Sequence, residues 1–155
     1  MRNFLIFLIM IVLCTKANAA TWVQIEEKAF IDLSSIDYYV DDYGNIDYDK
    51  KIFWMKNLNN KSENYKKLEK ILGKKIWYTI DKFVINHRAK KIALISSTSY
   101  GLNEEVIDSF SNKDYELYWN DIIPDSYGEF IYEAVKSPKK LERFYKMQLM
   151  EKDAN

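Results

Sequence analysis

The single histidine and the serines that follow it are the residues to test first for catalysis. His87 is the only histidine, and Ser96, Ser97 and Ser99 lie shortly after it. A hydrolytic triad needs a nucleophile, a base and an orienting acid in one site, and many such serines stand in a G-x-S-x-G elbow. No serine of this sequence does. The pattern therefore favours a surface histidine beside the basic turn 88–91 over a hydrolase that uses His87, and we predict that the protein is not an enzyme.

Aspartates around Gly44 are the second group whose types suggest chemistry, in this case calcium binding. Calcium loops place oxygen ligands at alternating positions around a sharp glycine turn. Here Tyr43 and Ile46 occupy positions where a ligand is expected, which favours a solvated hairpin tip with turn-forming aspartates. We predict no metal site and no cofactor. The aspartates are Asp37, Asp41, Asp42, Asp47 and Asp49.

A lysine-rich segment is the leading candidate for a binding surface. On a helix, these side chains could form a docking surface for acidic glycans, acidic proteins or anionic headgroups. The alternative is an ordinary solvated helix face whose lysine stems cover an apolar stripe. The candidate binding residues are Lys66, Lys67, Lys70, Lys74 and Lys75, with Lys61 nearby.

Tyrosines before and within the acidic segment form a second candidate surface, because tyrosine is favoured at protein interfaces. Tyr38, Tyr39 and Tyr43 are the binding candidates, and Tyr48 follows them. A place in the core or on a strand face is an equally good interpretation of these residues.

A β-sheet must position these residues. Short connections between successive strands indicate antiparallel pairing. In the third strand, period-2 alternation predicts that Ile46, Tyr48, Ile52 and Trp54 share the buried face. The predicted strands are 22–25, 29–33, 46–55, 76–86, 91–100 and 106–110.

A basic helix is predicted between the third and fourth strands, over 62–72, with Gly73 as its stop. Its apolar side is predicted to carry Tyr65, Leu68, Ile71 and Leu72.

A capped helix over 126–136 is expected to close the sheet. Ser126 and Glu129 form an S-x-x-E capping box, in which each side chain would satisfy the other residue's backbone N–H. The predicted apolar face carries Phe130, Ile131, Ala134 and Val135.

A further helix is expected after Ser137-Pro138, where serine caps and proline occupies the first helical position. Its narrow apolar stripe either packs back onto the sheet or mediates self-association. The stripe consists of Leu141, Phe144, Tyr145 and Leu149.

The N-terminal residues 1–19 have the pattern of a secretory signal peptide. Arg2 precedes the apolar run 4–13, and Ala17-Asn18-Ala19 is a small-x-small cleavage site, which predicts cleavage near Ala19/Ala20. The run is shorter than the roughly 20 residues that a membrane-spanning helix needs. We therefore predict an exported protein, periplasmic or at the cell surface. Cleavage would also remove Cys14, the only cysteine, leaving a disulfide-free domain without thiol chemistry.

The charge balance argues against a nucleic-acid partner. The chain carries 23 basic and 23 acidic residues, so it has no net positive field to attract phosphates.

A set of residues spread over about 21–136 occurs in a recognisable order. These residues are Ile31-Asp32-Leu33-Ser34-Ser35-Ile36, Gly44, Phe53 and, in structural roles, Trp22, Trp54, Trp119, Pro124, Ser126, Gly128 and Glu129. The order resembles that of the surface-adhesin protein E family of bacterial exported proteins. The resemblance implies an antiparallel sheet packed against a C-terminal helix, and adhesin-like binding of host matrix or serum proteins. Family members often carry two cysteines that tie helix to sheet, at positions that correspond to about Asn86 and Lys136, so that bridge is absent here.

Together these patterns predict an α+β protein with a meander of about six antiparallel strands, an inserted basic helix and a C-terminal helix over the sheet. The predicted organisation is a signal peptide over 1–19, an adhesin-E-like domain over 20–136 and a helical extension over 137–155. The expected function is an exported, non-enzymatic binding module of the bacterial cell envelope. The alternative is a periplasmic structural or assembly protein without a host partner.

Overall fold

An antiparallel sheet forms the body of the protein in a computed structural model, which describes residues 20–59 and 61–153. The strands of the sheet follow the chain order β1 to β6, each antiparallel to the next, and β7 pairs with the first half of β5. The α+β class and the antiparallel meander are therefore confirmed. The predicted signal peptide lies outside the described residues. The strands are β1 (Trp22–Glu26), β2 (Ala29–Val40), β3 (Ile46–Leu58), β4 (Tyr78–Asn86), β5 (Lys91–Tyr100), β6 (Val106–Ser111) and β7 (Asn120–Asp121).

In the described residues, three α-helices and one short 3-10 helix (Asp114–Glu116) accompany the sheet. Helix α1 (Glu63–Leu72) connects β3 to β4, α2 (Tyr127–Lys136) follows β7, and α3 (Pro138–Asp153) follows α2. Gly73 ends α1 in the left-handed conformation at φ 67°, and its N–H donates to the Glu69 carbonyl. Within the described ranges, no helix combines the length and apolar character needed to cross a membrane.

Helix α2 covers one face of the sheet and completes the main core. Its Ile131, Ala134 and Val135 are buried with Phe53 and Ile85 of the central strands. The Phe53 ring also stacks on Phe83, with 5.7 Å between ring centroids. Removing this apolar surface from water is the dominant favourable contribution to folding.

The predicted buried face of β3 is wrong in its first half. Ile46 and Tyr48 are 52% and 72% exposed, while Phe53 and Met55 on the other face are buried. Pairing with β4 begins only at Lys50, so the first residues of β3 extend beyond the β4 strand. The alternation of apolar and polar residues predicted that the two faces of β3 differ in burial. It did not predict which of these faces helix α2 covers.

The predicted apolar faces of α1 and α2 also need correction. Ile71 is 79% exposed and Phe130 is 46% exposed, whereas Tyr132 is buried. Phe130 instead lines a groove of about 340 Å³ with Leu141 of α3. The start of α3 and the edge strand β1 therefore determine the surroundings of Phe130.

Half of the predicted capping box is present at the start of α2. The Ser126 Oγ accepts from the Glu129 N–H at 3.3 Å. The Glu129 carboxylate, however, accepts from the N–H of Asp125 at 2.8 Å instead of the N–H of Ser126. The Ser126 N–H instead donates to the Ile123 carbonyl at 3.3 Å. Asp125, in the turn between these two residues, has the left-handed conformation at φ 58°.

The opposite face of the sheet carries a smaller cluster. Tyr39, Val84 and Ala93 are buried there, and Trp119 packs against them from the segment before β7. Trp119 itself is half-buried. Both faces of the sheet are therefore covered over part of their area.

Candidate functional site

The lysine-rich segment forms an amphipathic helix that is fixed to the sheet. Tyr65, Leu68 and Leu72 of α1 are half-buried, which is the expected inward stripe of a surface helix. The Tyr65 hydroxyl donates to the backbone carbonyl of Asn57 at 3.0 Å. Burial raises the pKa of this tyrosine above its ordinary value, so it is a neutral donor at physiological pH.

Glu69 ties the end of α1 to the chain that follows it. One of its carboxylate oxygens accepts from the Ile76 N–H at 3.0 Å and from the Asn59 side chain at 3.2 Å, and the other accepts from Lys75 at 3.1 Å. These hydrogen bonds, led by that from Ile76, lower the pKa of Glu69. The turn 73–76 is therefore held against the helix, which limits the freedom of the lysines on both.

All five predicted lysines are exposed. Lys66 pairs with Glu63 at 2.7 Å and Lys75 pairs with Glu69 at 3.1 Å. Within the described chain, the other three have no ion-pair partner: Lys67, Lys70 and Lys74. Residues 61–75 contain six lysines and two glutamates, a net charge of +4. The structure thus presents the predicted lysines on one exposed segment, which we call the lysine face (Lys66, Lys67, Lys70, Lys74 and Lys75).

Exposed apolar side chains border the lysine face, and the sequence analysis missed them. A depression of about 440 Å³ is lined by Lys66 and Lys75 together with Trp77 and Leu102. Trp77 is 41% exposed and Leu102 is 70% exposed. The Trp77 ring rests edge-on against Tyr78, with 5.3 Å between centroids, so its position is restricted. Trp77 could have been found from the sequence, because it directly follows Lys74-Lys75-Ile76. Leu102 lies in the β5–β6 turn and comes near the lysines only in the folded protein.

The second predicted surface loses one of its tyrosines. Tyr39 is buried, and its hydroxyl hydrogen-bonds to the Asp114 carboxylate. Burial, and then Asp114, raise the pKa of Tyr39. Tyr38 and Tyr43 remain exposed, and Tyr38 makes an edge-on ring contact with the exposed Tyr48. The tyrosines therefore divide between core and surface because β2 has two faces.

The aspartates around Gly44 are used mainly to shape the hairpin tip. The Asp41 carboxylate accepts from the N–H groups of Tyr43 and Asn45 and from the Asn45 side chain, at 2.8 to 2.9 Å. The bonds from Asn45 contribute most to lowering the pKa of Asp41. Among the residues that the structure describes, no three acidic, histidine or cysteine side chains are grouped to hold a metal ion.

His87 is half-buried, which corrects the prediction of a surface residue. Neither of its buried ring nitrogens has a hydrogen-bond partner among the described residues, and its ring centroid lies 5.2 Å from that of Tyr132 in α2. Burial, assisted by Lys51 and Lys136, lowers the pKa of His87, while Glu133 opposes the shift. The Ser97 hydroxyl donates to Asp81 instead. Within the described chain, His87 is therefore not hydrogen-bonded to a serine or an acid.

The remaining structural candidates lie at the edges of the core. Trp22, Trp54 and Gly128 are half-buried, while Pro124 is exposed in the turn before α2. The Lys82 ammonium lies 5.7 Å from the centroid of the Trp54 ring. The structural roles of these four residues stay predictions.

The stripe predicted on α3 is described in part. Leu141 packs against the main core, and the half-buried Tyr145 lines the groove that contains Phe130. The side chains of Phe144 and Leu149 lie outside the description. Self-association through this stripe stays a prediction.

Comparisons with known proteins give structural likenesses only. No protein-family model matches the sequence, and no curated protein matches it. Among solved structures, the chain is similar to Haemophilus influenzae protein E in its crystal form II, with a TM-score of 0.46 and 11% identity over 76% of this chain and 87% of that chain. Protein E from non-typeable Haemophilus influenzae gives a TM-score of 0.46 and 12% identity over 82% and 88% of the two chains. Identities this low do not carry residue roles from one chain to the other.

Proposed function

We propose that this protein is an exported, non-enzymatic binding module of the bacterial cell envelope, and that its lysine face docks an acidic protein surface. The secretory pattern of residues 1–19 and the sequence resemblance to the surface-adhesin protein E family support export and adhesin-like binding. A host matrix or serum protein is the partner that this resemblance favours.

The observation that carries the proposal is the set of three exposed lysines without an acidic partner in the described chain, Lys67, Lys70 and Lys74. Charges that the protein leaves unpaired remain available to a partner, and they accelerate encounter through long-range attraction. Lys67 and Lys70 lie on helix α1 and Lys74 lies in the turn that follows it. Tyr65 connects the helix to the sheet, and Glu69 holds the turn against the helix. A fixed helix loses little backbone entropy on binding.

Trp77 and Leu102 favour a protein partner over a glycan or a lipid headgroup. Both side chains are exposed beside the lysines, and tryptophan is enriched among the residues that carry binding energy at protein interfaces. A protein partner can bury this apolar centre while its acidic residues contact the lysine rim.

Charge reversal tests the lysine face. The variant Lys67→Glu, Lys70→Glu, Lys74→Glu should bind matrix and serum proteins at least about tenfold more weakly, because three exposed charge contacts contribute about 0.5 to 1 kcal/mol each. Its affinity should also depend less on salt concentration. The matched control reverses three exposed lysines elsewhere, Lys90, Lys113 and Lys139, and should stay within twofold of wild type.

Surface plasmon resonance against a panel of immobilised matrix and serum proteins, between 50 and 500 mM salt, gives both readouts. Equal losses in the two triple variants would show a non-specific charge effect and discard the lysine face. Binding to anionic vesicles with no binding to any protein in the panel would replace the protein partner with a lipid surface.

Accessibility on cells separates the adhesin from the periplasmic alternative. Antibody raised against residues 20–155 should label intact cells if the protein contacts host molecules. Labelling only after permeabilisation would instead favour a periplasmic structural or assembly role without a host partner.

A further inference from the structure

An open cavity of about 630 Å³ with a mixed polar and apolar lining lies over the sheet, between α1 and the start of α2. Its floor carries Asn57 of β3, Asp81 of β4 and Ser97 of β5, and Tyr65 and Tyr127 stand on its walls. Strand register explains the floor, because Asp81 pairs with Ser97 across β4 and β5, and paired residues project from the same face of a sheet. This cavity is separate from the lysine face.

Asp81 is the unusual residue of this cavity. It is only 9% exposed, yet no lysine, arginine or histidine of the described chain forms an ion pair with it. Its carboxylate is held by neutral donors, which are the Asn57 amide at 2.8 Å, the Thr79 hydroxyl at 2.9 Å and the Ser97 hydroxyl at 2.5 Å. Buried carboxylates are normally paired with a cation, because desolvation of an unpaired charge is costly.

Most of the hydrogen-bonding capacity that remains around Asp81 consists of acceptors. A carboxylate has about four acceptor positions, and three donors reach that of Asp81. Ser97 and Thr79 give their hydroxyl protons to Asp81, so their oxygens can only accept from a ligand. The Asn57 amide keeps one N–H donor, because only one of its two N–H groups is used by Asp81. A ligand that brings donors therefore suits the groups nearest to Asp81.

The walls suit a positively charged group on an apolar stem. Aromatic rings attract cations over their faces, and Tyr65 and Tyr127 provide two rings beside the floor. Leu68 and Leu94 add apolar surface to the lining. Two charged side chains of opposite sign, Glu26 and Lys28, also line the cavity. Burial, and then the Glu26 carboxylate, raise the pKa of Tyr127.

We infer that this cavity binds a small molecule with a primary ammonium group, which donates to Asp81 and Ser97 while its aliphatic stem lies between Tyr65 and Tyr127. An ammonium group has three donors and no acceptor, which matches the floor. It would also supply the positive charge that Asp81 lacks.

An NMR titration of the purified protein with n-butylammonium tests the inference, with n-butanol and butyrate as probes of similar size. Butylammonium should shift the backbone amide signals of Asp81 and Ser97 to saturation, and the other two compounds should bind at least tenfold more weakly. The Asp81→Asn variant should lose at least tenfold in affinity for butylammonium. Its matched control, Asp108→Asn on β6 outside the cavity lining, should remain within twofold of wild type.

A second variant keeps the test informative if Asp81→Asn does not fold. Tyr127→Leu removes one wall ring from an exposed position and leaves the floor intact, so it should weaken butylammonium binding several-fold. Equal binding of butanol and butylammonium, or unchanged affinity in both variants, would overturn the inference. Absence of any amide shift with butylammonium would also overturn it, and Asp81 would then be a structural residue of the sheet.

Discussion

His87 should make the stability of the protein depend on pH. Its ring nitrogens are buried without partners, and burial, with Lys51 and Lys136, lowers its pKa below the ordinary 6.5. The folded state therefore binds this proton more weakly than the unfolded state does. The stabilising contribution of neutral His87 is complete above pH 6.5 and is lost as the pH falls from 6.5 toward the folded-state pKa.

The size of the effect follows from proton linkage. One histidine can change the number of bound protons by at most one, so its largest contribution to the slope of the unfolding free energy is about 1.4 kcal/mol per pH unit. His87→Phe should remove this contribution while retaining an aromatic contact with Tyr132. At pH 8 the variant should also be more stable by about 1 kcal/mol, because it no longer buries two nitrogens without hydrogen bonds.

Urea denaturation of wild type and His87→Phe at intervals between pH 5 and 8 measures both effects. The difference between the two curves isolates the imidazole, since carboxylates titrate in both proteins and the chain contains no other histidine. NMR can follow the same ring directly in the folded protein. Parallel stability curves, or an imidazole titration midpoint at or above 6.5, would refute the reasoning.

Two further substitutions test the core and the start of α2. Phe53→Ala should cost about 3 to 5 kcal/mol of unfolding free energy in urea denaturation, because the ring is fully buried and its loss leaves a cavity. The control, Ile46→Ala on the same strand, should cost less than about 0.5 kcal/mol. Equal costs would contradict the assignment of buried and exposed faces to β3. Ser126→Ala should cost about 1 kcal/mol of unfolding free energy, because it removes the acceptor of the Glu129 N–H. Ser109→Ala on the exposed edge strand β6 is the control. A loss in Ser126→Ala no larger than that in the control would show that this cap contributes little to stability.

The strand positions were predictable because local signals determine them. The turn 88–90 separates β4 from β5 close to the predicted positions, since short polar connections between apolar runs favour hairpins. Strand β2 continues to Val40, beyond the predicted end at Leu33, because an irregularity in its pairing between Asp32 and Asp37 accommodates the polar Ser34-Ser35. The alternation of apolar and polar residues in the sequence does not predict such a register shift.

The site was predictable only where helical periodicity decides exposure. The period placed Lys66, Lys67 and Lys70 outward, and they are exposed. The contacts of Glu69 with Ile76 and the approach of Leu102 depend on how distant segments meet. Asp81 gave no signal in sequence, because its three hydrogen-bond partners come together only after three strands have paired.

The order of the strands in the sheet has a consequence for how the chain reaches its native state. Each strand from β2 to β6 pairs with the one made just before it, so hairpins can assemble vectorially as the chain emerges. The main core, however, is closed by Ile131, Ala134 and Val135 of α2, which emerge after all seven strands. Until then Phe53 and Ile85 remain uncovered, and exposed apolar surface of this kind makes folding intermediates prone to aggregation. The interval before α2 docks is therefore the stage at which a chaperone would protect this protein and a protease would degrade it.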